Sequence, residues 1–342
     1  MLLQSVWFFL WGLLWAVFFM TDGFDLGIGS LYPFLGKSER DRNMMIHAMG
    51  PLWDGNEVWL VTAGGVTFAA FPLVYAVMFS SLYSALMLIL FALILRGVSF
   101  EFRNKVESMA WKRVWDGCIF IGSFLPALLF GVAFGNIFKG IPIDGDGIYQ
   151  GTLFTLLNPY GLLAGVLFVC LFLMHGALWL AIRSDGDLAE RSERLATRLW
   201  PVLTGVAVIF LVATYIFTPL YDNYLANPVL FLVPLISVAG IFGIRYFLLQ
   251  KGVFKAWCAS ALTIVSCTFF GVIGLFPSLF PSSIDPKFNL TAYNASSSPL
   301  TLKIMLIVVV LFIPVVLAYQ AWAYKLFSGQ VTDDDLAHEE TY

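Results

Sequence analysis

The sequence predicts an all-α polytopic membrane protein of nine transmembrane helices, and three observations carry that expectation. Apolar runs of about 20 residues recur along the whole chain, each enough to cross a hydrocarbon core roughly 30 Å thick. Of the 342 residues, 60% are hydrophobic and only 12% are charged, about half the charge of an average soluble domain. Third, the basic residues gather in alternate loops.

The spans fall at roughly 2–35, 51–72, 74–95, 114–138, 155–182, 198–218, 227–249, 256–280 and 301–327. With the N-terminus outside, the inner side receives Lys37, Arg40, Arg42, Arg96, Arg103, Lys105, Lys112, Arg113, Arg183, Arg191, Arg194, Arg198, Arg245, Lys251, Lys255 and Lys325. Of the 19 basic residues only Lys139, Lys287 and Lys303 stay outside, a strong positive-inside bias. An odd number of spans then leaves the C-terminal run DDDLAHEE cytoplasmic, as a solvated acidic tail. The apolar run begins at Leu2 with no basic residue ahead of it and outlasts a leader's hydrophobic region, so a first span is expected rather than a cleaved signal peptide.

Gly122-Ser123-Phe124-Leu125-Pro126 in the fourth span echoes Gly274-Leu275-Phe276-Pro277 in the eighth. The echo points to two bundles of four helices in parallel topology. The expected division is 1–138 for the first bundle, 139–280 for the second, and 281–342 for a peripheral ninth helix with its acidic tail. Cys118, Cys170, Cys258 and Cys267 lie in apolar segments without metal-ligand or disulfide spacing. They read as packing residues.

The stretch from Met20 to Leu60 stands apart. Asp22 and Asp25 close to the end of the first span, and Asp54 and Glu57 at the start of the second, are paired at a spacing of three. On a helix that spacing puts both members on one face. An Asp near the middle of a spanning helix costs about 2.5–3.5 kcal/mol on insertion scales. Pro51 stands where a first-turn proline belongs, and the helix macrodipole favours Asp54 and Glu57 behind it. Trp53 and Trp59 read as interface-belt aromatics of the same span. Trp115-Asp116-Gly117 repeats Trp53-Asp54-Gly55, so Asp116 reads as a second helix-start acid. Asp22 and Asp25 have no such structural excuse, although inner headgroups or a local partner would serve. Gly23, Gly27 and Gly29 permit a bend or a close helix contact beside them.

The sequence has no phosphate-binding glycine loop, zinc spacing or nucleophile elbow. It has three histidines: His47 in an inner loop, His175 within the fifth span and His338 in the tail. His175 is the one candidate axial ligand, and a hydrogen bond to a neighbouring helix is the plainer role. A subunit holding several haems would need more.

These motifs carry a resemblance. Thr21-Asp22-Gly23-Phe24-Asp25-Leu26-Gly27 and Gly50-Pro51-Leu52-Trp53-Asp54-Gly55-Asn56-Glu57-Val58-Trp59-Leu60 resemble signatures of subunit II of the cytochrome bd quinol oxidases. Arg96-Gly97-Val98-Ser99-Phe100-Glu101-Phe102-Arg103, Trp115-Asp116-Gly117 and Gly131-Val132-Ala133-Phe134-Gly135-Asn136 continue the match. The resemblance implies a subunit of a respiratory terminal oxidase of the bacterial cell membrane, which oxidises quinol and reduces oxygen to water. It places haem b and haem d in the partner, subunit I, with no nucleic acid involved. It also admits a structural quinone and a small accessory single-helix subunit.

Oxygen reduction consumes protons, and a route through a membrane interior is built from carboxylates, hydroxyls and water. Asp25 and Asp54, with Asp22 and Glu57, are therefore expected on a proton pathway to the partner's haems, with Trp53 and Trp59 near a haem or at the subunit interface. Two other classes stay open. A proton- or ion-coupled transporter would also use intramembrane acids and repeats, and a purely structural subunit would need none of the acids for turnover.

Overall fold

The computed structural model describes residues 1–332, 335 and 336. Most of the expected acidic tail, His338 included, lies outside them. The chain is helical nearly throughout. Its helices run between a basic end, which holds the connections around residues 36–52, 103–108, 184–185 and 250–252, and a loop end, which holds 140–158 and 276–298.

Helix α1 (Leu2–Leu35) is 34 residues long, about 50 Å at 1.5 Å per residue. It is apolar nearly all round, and such a helix belongs in the interior. It packs against α3 (Trp53–Ala70), α6 (Met109–Lys139), α8 (Pro159–Arg183) and α12 (Val253–Leu275). The close approach rests on glycine. A Cβ on Gly27 would lie 1.9 Å from the carbonyl oxygen of Phe172, and one on Gly29 would lie 1.9 Å from Ser123 Oγ. The expected contact role of these glycines thus holds for α8 and α6, and no bend is needed to explain them.

Among the described residues, eight helices are long and apolar enough to cross a membrane. The expected second span is α3, of 18 residues, whose first turns carry Asp54, Asn56 and Glu57. This polar start keeps it out of that group. It nevertheless runs from the basic end to the loop end, where the Ala70 carbonyl accepts the Ser297 N–H at 2.8 Å. The expected third span is divided into α4 (Pro72–Ser81) and α5 (Tyr83–Phe102). Phe71, ahead of Pro72, sits at φ −134° and ψ 63°, since a residue before proline is driven from the helical region. Helix α5 carries on well past the expected boundary at 95, so Arg96 lies inside it.

Helix starts also differ from expectation. Pro51 occupies a turn and α3 begins at Trp53, while α6 begins at Met109, which puts Asp116 two turns inside it. Asp116 is an ion-pair residue instead of a helix-start acid. It receives Arg103 Nε at 2.6 Å and Arg42 Nη1 at 3.0 Å. Glu39 joins Arg103 at 3.1 Å, and Asp41 takes Arg191 at 2.8 Å from α9 (Gly186–Phe217). These pairs clamp the short helix α2 (Glu39–Met49), opened by a Ser38/Asp41 capping box, onto the basic end. Burial works against the charge on Asp41, but Arg191 and the Ser38 backbone hold its carboxyl below the usual range.

At the loop end, the short helices α7 (Leu153–Leu156) and α10 (Asp222–Ala226) and a two-stranded hairpin, β1 (Ser278–Phe280) with β2 (Leu290–Thr291), cover the bundle. Helix α11 (Leu232–Leu249) packs on α12. Helix α13 (Pro299–Leu326) is the outlier, since Leu302 is the one residue it buries along its 28 residues.

Two outcomes check this architecture. Gly27→Ala forces α1 away from the α8 backbone and should destabilise the extracted protein by about 1–3 kcal/mol, read as a lowered thermal midpoint. Single cysteines at the exposed positions Lys139 and Glu190, in a background without native cysteine, should label from opposite sides of the membrane. Labelling of both from one side would overturn the alternation of ends.

Candidate functional site

The acids of α1 meet three other helices near the basic end. Asp22 and Asp25 are fully buried, as are Asn56 of α3 and Arg96 of α5. The Arg96 Nη2 donates to Asp22 Oδ1 at 2.8 Å and also to Glu57 Oε1 of α3. Asn56 Nδ2 donates to Asp25 Oδ2 at 2.7 Å, and its Oδ1 accepts the Tyr324 hydroxyl of α13 at 2.8 Å. Asp25 Oδ1, Asp22 Oδ2 and the Arg96 Nε and Nη1 have no protein partner. The cluster therefore presents two carboxylate oxygens without a protein partner, one on Asp22, which Arg96 holds by its other oxygen, and one on Asp25, which no cation holds.

Local packing makes room for it. A Cβ on Gly97 would meet the Trp53 ring at 3.1 Å, so the glycine after Arg96 lets Trp53 lie on α5, where it packs against Phe100 at 5.4 Å. A Cβ on Gly122 would lie 2.6 Å from the Ala92 carbonyl oxygen and 2.8 Å from Arg96 Cβ. Gly122 thus allows α6 to close over the arginine.

The expected site residues are distributed unevenly. Asp22, Asp25 and Glu57 belong to one cluster. Asp54 does not bond to it: its carboxylate is exposed and accepts the Gly55 N–H at 2.7 Å. It lines a separate cleft of about 450 Å³ at the basic end with His47, Arg183 and Asp335. Burial pushes His47 below the ordinary imidazole range, and the Asp335 carboxylate partly offsets this. Trp59 is 5% exposed and donates from Nε1 to Gln320 at 3.1 Å. Trp53 remains half-buried.

His175 is fully buried, stacked on Trp257 at 5.1 Å, with Nδ1 at 2.5 Å from Ser260 Oγ and Nε2 at 3.0 Å from the Met20 carbonyl oxygen. With both ring nitrogens engaged, it does not present an axial ligand. The one histidine inside the spans therefore does not fit the role of a haem ligand.

Three members of the cluster had been missed. Arg96 falls one residue beyond the expected end of its span and reads as a topology charge. Asn56 is neutral, and Tyr324 is one aromatic among many, so neither carries a sequence signal. Arg96 is the test of the electrostatics. Arg96→Leu leaves the fully buried Asp22 and the partly exposed Glu57 without their counter-ion, a change worth about 3–5 kcal/mol for a buried pair. It should lower the yield of assembled protein, and Arg96→Leu with Asp22→Asn should recover part of that yield.

Comparison with known proteins identifies the family. The family model for cytochrome bd terminal oxidase subunit II matches residues 3–327. The chain is 38% identical to cytochrome bd-I ubiquinol oxidase subunit 2 of Escherichia coli K12, covering 98% of this chain and 96% of that one. It is 35% identical to cytochrome bd ubiquinol oxidase subunit 2 of Bacillus subtilis 168, covering 96% and 97%. A chain of the bd oxidase structure from Geobacillus thermodenitrificans superposes with a TM-score of 0.79 at 16% identity, over 96% of this chain and 99% of that one, a likeness of fold. The chain belongs to the cytochrome bd terminal oxidase subunit II family and is a membrane subunit of a respiratory quinol:oxygen oxidoreductase.

Proposed function

We propose that this subunit carries protons from the cytoplasm to the oxygen-reducing haem site of subunit I, with Asp25 as the carrier. The observation behind the reading is the state of Asp25: fully buried, one oxygen held by Asn56 and the other without a protein partner. A carboxyl in such surroundings exchanges a proton more readily than one locked in an ion pair. Asp22 and Glu57 share Arg96 and supply the fixed charge around it. Asp54, in the cleft at the basic end, is the uptake point.

The basic end faces the cytoplasm in this reading, and the N-terminus lies outside the bacterial cell membrane. The haem b and haem d groups belong to subunit I, and quinol is the substrate of the complex. The apolar surface that α3 and α5 leave exposed, including Val58, Val61, Phe91 and Ile94, is the face for subunit I. Glu57, with 23% of its side chain exposed, and Trp53 bring the cluster to that face. Family membership sets the transporter reading aside.

Asp25→Asn keeps size and polarity but cannot exchange the proton. The assembled complex with its haems should consume oxygen about tenfold more slowly or worse, measured with an oxygen electrode on the purified oxidase. Normal turnover with an unchanged pH profile would return the acids to structural roles.

A further inference from the structure

Helix α13 is buried at Leu302 alone, yet it sends two polar side chains, one turn apart, onto α3. Gln320 accepts from Trp59, and Tyr324 donates to Asn56. The second contact has a chemical consequence. A primary amide has one accepting and one donating end. With its Oδ1 taken by the Tyr324 hydroxyl, Asn56 can turn only its NH2 toward Asp25. Asp25 Oδ2 is thereby fixed as an acceptor at 2.7 Å, and Oδ1 is left as the oxygen without a protein partner.

We propose that Tyr324 is a positioning residue for Asp25: by orienting Asn56 it confines proton exchange to Asp25 Oδ1. The inference rests on the proton-carrying reading of Asp25 given above. An amide does not pass protons on, so the Tyr324–Asn56 pair is an anchor and not a link in the route. Without the hydroxyl, Asn56 is free to reverse, and its Oδ1 then faces Asp25 Oδ2. That arrangement accepts a bond from a protonated Oδ2 and opposes the ionised form. The proton then has a second resting atom on the wrong side of the carboxyl.

The groups facing Asp25 are otherwise unchanged by this substitution. They are Asp22 on α1, Glu57 on α3 and Arg96 on α5. Gln320 provides the control, because it ties α13 to α3 without touching the Asn56–Asp25 pair.

The experiment compares Tyr324→Phe, Gln320→Leu and Asp25→Asn in the purified, haem-loaded complex. The readouts are oxygen consumption against pH and the infrared redox-difference spectrum in the carboxyl stretching region. The expected result for Tyr324→Phe is a severalfold loss of turnover, a displaced midpoint of the pH profile and a shifted carboxyl band, the band being the one that Asp25→Asn removes. Gln320→Leu should keep the wild-type profile and band. A wild-type profile and band in Tyr324→Phe would overturn the positioning role while leaving Asp25 as carrier. So would equal losses in Tyr324→Phe and Gln320→Leu with both profiles unmoved, because that outcome reports helix docking alone. Normal turnover in Asp25→Asn would overturn the carrier reading itself, and the inference with it.

Discussion

The structure depends on a guanidinium with no exposed surface. Arg96 sits where α1, α3, α5 and α6 converge, and nothing apolar can replace its charge while Asp22 and Glu57 remain. Taking a cation and two acids out of water is costly, and their mutual attraction repays that cost only when the geometry is tight. The surrounding sequence supplies the geometry. Gly97 admits the Trp53 ring on one side of α5, and Gly122 admits α6 on the other. The ion cluster and the close helix packing are one arrangement, and loss of either leaves the other unsupported.

The burial of α1 follows from the same arrangement. A helix that carries two acids to the middle of a bundle must be enclosed, because lipid offers no partner for them. Gly27 against Phe172 and Gly176, and Gly29 against Ser123, bring α8 and α6 close enough to seal it. Beyond the acids, Arg103, Arg42, Glu39 and Asp116 fasten α2 and α6 across the basic end. Two ionic layers thus stand at successive depths: a clamp near the surface and a buried cluster beneath it.

The acids of α1 were legible because a charge inside an apolar run needs either a partner or a task. The helical class and most span positions were legible from length and hydropathy. Arg96 was not, because a basic residue at the rim of a hydrophobic run looks the same whether it marks topology or neutralises a buried acid. Asp54 stands apart from the cluster for a geometric reason. Residues three apart on a helix are offset by about 60°, enough to tuck Glu57 under Arg96 while Asp54 turns outward. Asp116 misled through a repeated tripeptide: Trp-Asp-Gly occurs at a helix start once and two turns inside a helix the second time. Asn56 and Tyr324 were invisible, since their importance lies in what they bond to and not in their type.

The placement of Asp54 and of Asp25 is set by these orientations. Asp54 faces a cleft roofed by the chain after α13, where the Val331 N–H bonds to the Arg183 carbonyl at 2.8 Å. Asp25 lies behind Asn56, and Asn56 is held from the α13 side. The same helix therefore borders the cleft with Leu326 and, two residues earlier, holds with Tyr324 the amide that orients the buried acid. A helix so little buried against its own chain slides and rotates at little energetic cost where its contacts are apolar, since lipid tails are as apolar as the side chains. Three hydrogen bonds fix its rotation: Trp59 to Gln320 and Tyr324 to Asn56 at the basic end, and Trp7 Nε1 to the Leu302 carbonyl at 3.0 Å at the loop end. This division of labour explains how a nearly unburied helix has a bearing on a fully buried carboxyl: its polar residues fix the angle, and its apolar residues fix only the depth.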